Sequence, residues 1–225
     1  MKIDMHVHLV GTGAGVGGSG CWYRPKGYTA LGAPFMLRGM GLRGGDLDAD
    51  DFDRLYVEQL RRFVRGAGLD AILLLAQELP HDAAGRPLEE RASFYVPNRY
   101  VLDLAAAHPE FLAGVSIHPA RPDALEELER CLAAGAAALK CLPNVQGIDW
   151  NDRRYTSFLE RMAAARTIVW RVGALEGYIS ESARPGMLAL LRVLRCDAPT
   201  AAALAAAAPD TITVRPLART APSRP

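Results

Sequence analysis

Residues 2–10 read Lys-Ile-Asp-Met-His-Val-His-Leu-Val, and they constrain this chain more than any other stretch. Ile3, Met5, Val7 and Leu9 alternate with Asp4, His6 and His8, and a period of two marks a β-strand with one apolar and one polar face. Both imidazoles therefore point the same way. Residues two apart on a strand are separated by roughly 7 Å along the backbone, so two leaning rings can meet at one metal ion. Neutral imidazole is the usual ligand for zinc and its first-row neighbours. The competing reading is a half-buried edge strand whose histidines are solvated or bonded to carbonyls. His-x-His with an aspartate in phase favours the metal.

At 225 residues the chain suits one domain with a real core, and it falls short of the roughly 250 of a full (β/α)8 barrel. Net charge is +1, from 26 basic and 25 acidic residues, which gives no electrostatic reason to expect nucleic acid or an anionic membrane as partner. The expected partner is a small-molecule substrate. Cys21, Cys131, Cys141 and Cys196 lack Cys-x-x-Cys spacing and read as reduced thiols. Asp4, His6 and His8 interrupt any apolar leader, and no window is apolar enough to span a bilayer, so a soluble cytoplasmic protein is expected.

After the strand, Gly13-x-Gly15-x-x-Gly18 has the form of a dinucleotide fingerprint, but no helix start follows its third glycine, so a nucleotide site is not expected. Residues 11–45 read instead as a long loop at the carboxyl end of the first strand. Its Trp22, Tyr23, Tyr28, Phe35 and Met36 suit a lid or substrate wall, with Trp22 the substrate-binding candidate. They suit a subunit contact equally well, which leaves a homo-oligomer open.

From Asp48 the pattern turns helical, with Phe52, Leu55, Tyr56, Leu60, Phe63 and Val64 on one face and Gly66 and Gly68 at the end. Residues 71–77 form a continuous apolar run, the mark of a parallel strand covered on both faces, and end in Gln77, a second substrate-binding candidate. A loop carrying His81 and Asp82 leads to a helix opened by Pro97, which ends at His108, a surface residue. Residues 111–119 form a third strand with Val115 and Ile117 on one face and Gly114, Ser116 and His118 on the other. His118 ends it where barrel enzymes place catalytic groups, although a structural hydrogen bond is an equal reading. A helix from Pro122 turns Leu125, Leu128 and Leu132 inward, with Gly135 as cap. The fourth strand, residues 136–144, contains Lys140, and a charge inside an apolar strand is costly unless paired or liganded.

Asp4-Met5-His6-Val7-His8 resembles the opening strand of the amidohydrolase superfamily of metal-dependent hydrolases, a motif shared with PHP-type phosphoesterases and TatD-type nucleases. His118-Pro119, residues 138–149, Tyr155 and a helix with Phe158, Leu159 and Met162 sharpen the resemblance to the amidohydrolase-related proteins that include small aromatic-acid decarboxylases. The resemblance covers about residues 2–166. It implies an α/β fold, a TIM (β/α)8-type barrel that is incomplete here, with four to five βα units, within a domain over residues 1–198. Residues 199–225, rich in Ala, Pro, Thr and Arg, read as a weakly ordered tail.

The family pattern continues into a fifth strand ending in histidine, a sixth with another histidine and an eighth with a metal-binding aspartate. Residues 167–173 supply a fifth strand, but Val172 stands where the histidine belongs, and no histidine follows His118. A truncated or frame-shifted relative, replaced after about Arg166, is the expectation.

The resemblance implies a divalent metal, zinc foremost, on His6 and His8, with His118 and Lys140 as catalytic candidates. Lys140 would serve as a cation for a substrate carboxylate rather than as a bridging carboxylated lysine. A metal-activated water hydrolysing a small amide, ester or lactone is the leading function. Non-oxidative decarboxylation of a small aromatic acid on the same fold is the alternative. A catalytically inactive fragment lacking the later ligands is the rival from another class.

Overall fold

The computed structural model describes residues 2–13, 18–26, 28–150 and 152–165, together with three short strands farther on. The chain opens with β1 (Ile3–His8), followed by β2 (Trp22–Tyr23) and α1 (Tyr28–Gly39). A 3-10 turn (Gly44–Asp48) leads to α2 (Phe52–Gly66) and β3 (Ala71–Leu75). Then come β4 (Phe94–Tyr95), α3 (Asn98–Ala107), β5 (Phe111–Val115), α4 (Ala124–Ala133) and β6 (Ala138–Cys141). A short α5 (Pro143–Gln146), α6 (Thr156–Ala164) and β7 (Val169–Arg171) complete the main body. Beyond it, β8 (Arg195–Cys196) and β9 (Arg215–Pro216) pair in parallel. Most of the expected tail lies outside the described residues.

Five strands form one parallel sheet in the order β1-β3-β5-β6-β7. Each strand joins the one before it, and α2, α3, α4 and α6 supply the crossovers. This is a singly wound half-barrel, the incomplete TIM-type architecture that the resemblance implied. β3 and β5 are buried at every residue, as strands covered on both faces must be.

Outward-facing Ile72, Leu74 and Ala113 pack against Phe52, Tyr56 and Leu60 of α2 and Val101 of α3. A second cluster joins Val115, Ile117 and Leu139 to Leu128 of α4 and Phe158 of α6. Fully burying a side chain such as Phe52 or Leu74 contributes about 1.5–3 kcal/mol. On the interior face, a Cβ at Gly114 would meet Leu75 Cδ2 at 2.8 Å and the Leu74 carbonyl oxygen at 3.0 Å. Only glycine lets β3 and β5 close up there.

Three local expectations are corrected. Residues 11–45 are not one loop, because they contain β2 and the twelve-residue helix α1. In α4 the buried stripe is Ala124, Leu128 and Cys131, which leaves Leu125 42% exposed rather than inward. Phe63 likewise lies at the margin of the α2 stripe and is 45% exposed. Among the described residues no helix is long and apolar enough to cross a membrane.

Candidate metal centre

β1 is an end strand of the sheet, and its pairing with β3 slips by one residue between Asp4 and Val7. Such a bulge frees a backbone amide and re-aims a side chain. Here the His6 amide donates to Asp4 Oδ1 at 3.0 Å. The re-aimed His6 ring meets His8 edge to face, with centroids 4.9 Å apart and Nε2 atoms 3.0 Å apart. Tyr56 of α2 fixes the strand from behind, its hydroxyl donating to the His8 carbonyl at 3.2 Å.

Lys140 on β6 is fully buried. Its ammonium donates to Gln77 Oε1 at 2.6 Å and to the Ala76 carbonyl at 3.3 Å. Burial pushes its pKa down to about 8. Burial also depresses His6, and it pulls His8 down to about 4; the Lys140 charge acts in the same direction on both. His6, His8, Lys140 and Gln77 thus form one electrostatic group, and both imidazoles are neutral at physiological pH.

Of the other sequence candidates, His118 belongs to a neighbouring cluster. Its Nδ1 accepts from the Ala120 amide at 3.1 Å, so Nε2 carries the proton and donates to the Gln146 carbonyl at 3.0 Å. Both ring nitrogens are engaged. The ring stacks on His81 at 4.7 Å, and burial lowers its pKa to about 4. Glu78 joins the two groups, since its carbonyl accepts from the side-chain amides of Gln77 and Gln146. Its carboxylate is buried and meets Arg121 at 2.5 Å.

Trp22 lies under the Arg24 guanidinium, 4.9 Å from its centroid, and beside Tyr95. It does not line the cavity at the histidine pair. Its neighbour Tyr23 and the cross-strand Phe94 do, and Phe94 lies 6.2 Å from His8. Sequence reading named Tyr23 only as a general wall residue and missed Phe94, because a two-residue strand carries no periodicity. The cavity itself measures about 820 Å³ and is walled by β1, α1 and α2.

Two nitrogens bound to one zinc ion at about 2.0–2.1 Å in tetrahedral geometry stand roughly 3.3 Å apart. The two Nε2 atoms share a hydrogen bond at 3.0 Å, about 0.3 Å short of that separation, so a small ring movement that exchanges this bond for an ion would meet the requirement, and both rings are neutral as ligands must be. Among the described residues no group of three or more His, Cys, Asp or Glu side chains is placed to hold a metal. The pair therefore fits two positions of a ligand set.

A singly wound parallel half-barrel defines the class as an incomplete TIM-type barrel, with a histidine pair on its first strand. The sequence matches the amidohydrolase family over residues 3–200, and the chain belongs to that family. The match runs past Arg166, where the sequence resemblance was expected to end. An uncharacterized TIM-barrel protein from Bordetella bronchiseptica is similar at 14% identity and a TM-score of 0.47, covering 95% of this chain and 74% of that one. A probable 2-pyrone-4,6-dicarboxylic acid hydrolase from Acinetobacter baumannii, with citric acid bound, is similar at 12% identity and a TM-score of 0.44. There the likeness covers 87% of this chain and 56% of that one. No curated protein matches the sequence.

Proposed function

We propose that this chain is a metal-dependent hydrolase of small amides, esters or lactones, with His6 and His8 holding a divalent ion, zinc foremost. The observation that carries the reading is the convergence of two neutral Nε2 atoms, 3.0 Å apart, beside a buried lysine. When bound, such an ion supplies a Lewis acid and a water of lowered pKa.

The chain's own residues do the rest. The bulge and the Asp4 carboxylate hold His6 in position, and Tyr56 holds His8. Gln77 and the Ala76 carbonyl fix the Lys140 ammonium, which stays protonated below about pH 8 and, enclosed behind the cavity wall, favours a carboxylate or a developing oxyanion at the histidine pair through its field rather than by contact. Phe94 stands edge to face with the His8 ring at 6.2 Å and gives the site an apolar wall. Decarboxylation of a small acid is the second reading, and it rests on Lys140 as partner for the substrate carboxylate.

The test is elemental analysis of the purified chain together with His6→Ala and His8→Ala. About one equivalent of tightly held metal in the parent and little in either variant supports the hydrolase, and a screen of amides, esters, lactones and aromatic acids then separates hydrolysis from decarboxylation. Weak, easily chelated metal in all three chains overturns the reading in favour of a non-catalytic relative.

A further inference from the structure

The cavity at the histidine pair continues well past it. His6 and His8 stand on the interior face of β1 and Val7 on the helix-facing side, yet all three line the same space of about 820 Å³. A cavity meets both faces of one strand only around an edge, and among the described residues β1 is the end strand, bonded to β3 alone in its sheet. Beyond that edge the walls are largely helical and apolar: Met36 of α1, Met40 just after it, and Leu60 and Val64 of α2.

The described lining is chemically one-sided. Asp4 and the histidines give it one ionisable end, Tyr23, Tyr56 and Ser93 add hydroxyls, and among the described residues no lysine or arginine lines it. A second charge on a ligand would find no cationic partner in these walls. The volume lies in the range of small-molecule sites, which combine apolar walls with a few polar groups at one place. Methionine walls also adapt to flexible chains better than branched ones do.

Building on the hydrolase reading, we infer that the substrate carries a long, uncharged, apolar substituent. The scissile carbonyl lies at the His6–His8 pair, and an alkyl or acyl chain passes around the open edge of β1 into the space between α1 and α2. Continuity of this space with the histidine pair selects a small molecule as the occupant. A polypeptide strand from a second copy, closing the edge of β1, is the competing occupant.

Primary n-alkyl amides of about four to about twelve carbons, titrated calorimetrically into the full chain, test this. Affinity should rise roughly fourfold per methylene, the transfer value for a buried CH₂, until the cavity is filled. Gly32→Leu and Gly39→Leu should flatten that rise, since both glycines line the cavity and a Cβ at either meets nothing within 4 Å. Unchanged melting temperatures show that both variants fold. His6→Ala should keep the rise.

A flat series in the parent chain overturns the inference, and a flat series with concentration-dependent dimers assigns the edge to a second copy. A rise that neither glycine variant alters also overturns it. A rise blocked by both variants, with no hydrolysis of the matching esters, overturns the catalytic reading alone and leaves the apolar-ligand site standing.

Discussion

Lys140 gives its ammonium to Gln77 Oε1 at 2.6 Å across two intervening strand pairings, in the fully buried interior of the half-barrel. Removing one partner of such a pair leaves the other unsatisfied, at a cost of about 1–3 kcal/mol. Replacing both by apolar groups of similar shape is close to neutral. Lys140→Met and Gln77→Leu should therefore each cost about 2 kcal/mol, and the double variant clearly less than their sum. A double-mutant cycle by urea denaturation measures that coupling.

The same lysine acts on the histidine pair through its charge. Burial is the larger cause of the depressed imidazole pKa values, and it remains when the charge is removed. Lys140→Met should thus raise the pKa of both His6 and His8 part of the way back towards the ordinary value. Proton NMR titration of the metal-free protein reads this directly, and unchanged values would show that the charge is not felt there.

Asp53, buried on α2, anchors the segment that leaves β1. Its carboxylate accepts from the Thr12 amide at 2.6 Å, from the Gly13 amide at 3.2 Å and from the Ser19 hydroxyl. Asp53→Ala should cost about 2–3 kcal/mol by orphaning these donors, and Asp53→Asn less, since one acceptor oxygen remains. Hydrogen exchange at Thr12 and Gly13 should accelerate in the same order.

His118 predicts a pH dependence. Its folded pKa of about 4 lies below the ordinary histidine value of 6.5, so the unfolded chain binds the extra proton between those values. Its contribution is complete above about pH 6.5 and lost as pH falls towards 4, at about 1.4 kcal/mol per pH unit and about 3 kcal/mol in total. Stability measured from pH 7 to 4 should fall less steeply in His118→Asn than in the parent chain.

What was legible in the sequence was what a single element dictates to itself. The runs at residues 71–75 and 111–115 are apolar throughout because parallel strands are covered on both faces, and the wide stripe of α2 announces its helix. Lys140 was found because a charge in such a strand demands a partner, although the partnership with Gln77 depends on strand order that no local pattern encodes. The bulge at His6 is a property of the register with β3, equally invisible from one strand. α1 escaped notice because Gly32, Pro34 and Gly39 lower its helical signal, and Leu31 and Phe35 on its outer face, 77% and 79% exposed, blur the stripe. For His118 the sequence could not choose between chemistry and structure. That choice turns on the Ala120 amide and Gln146 carbonyl, which meet the ring only in three dimensions.

The sheet order also sets a schedule for assembly. Every strand after the first joins a neighbour that the ribosome has already released, so the half-barrel can grow outward from its N-terminal end as the chain emerges. The steps are unequal: Ile3 pairs with Ala71, whereas Gly114 pairs with Ala138. Loop-closure entropy makes the first of these pairings the hardest to close. The strand bearing both histidines is thus the earliest made and the one docked across the longest intervening loop, which places the formation of the histidine pair late relative to its synthesis.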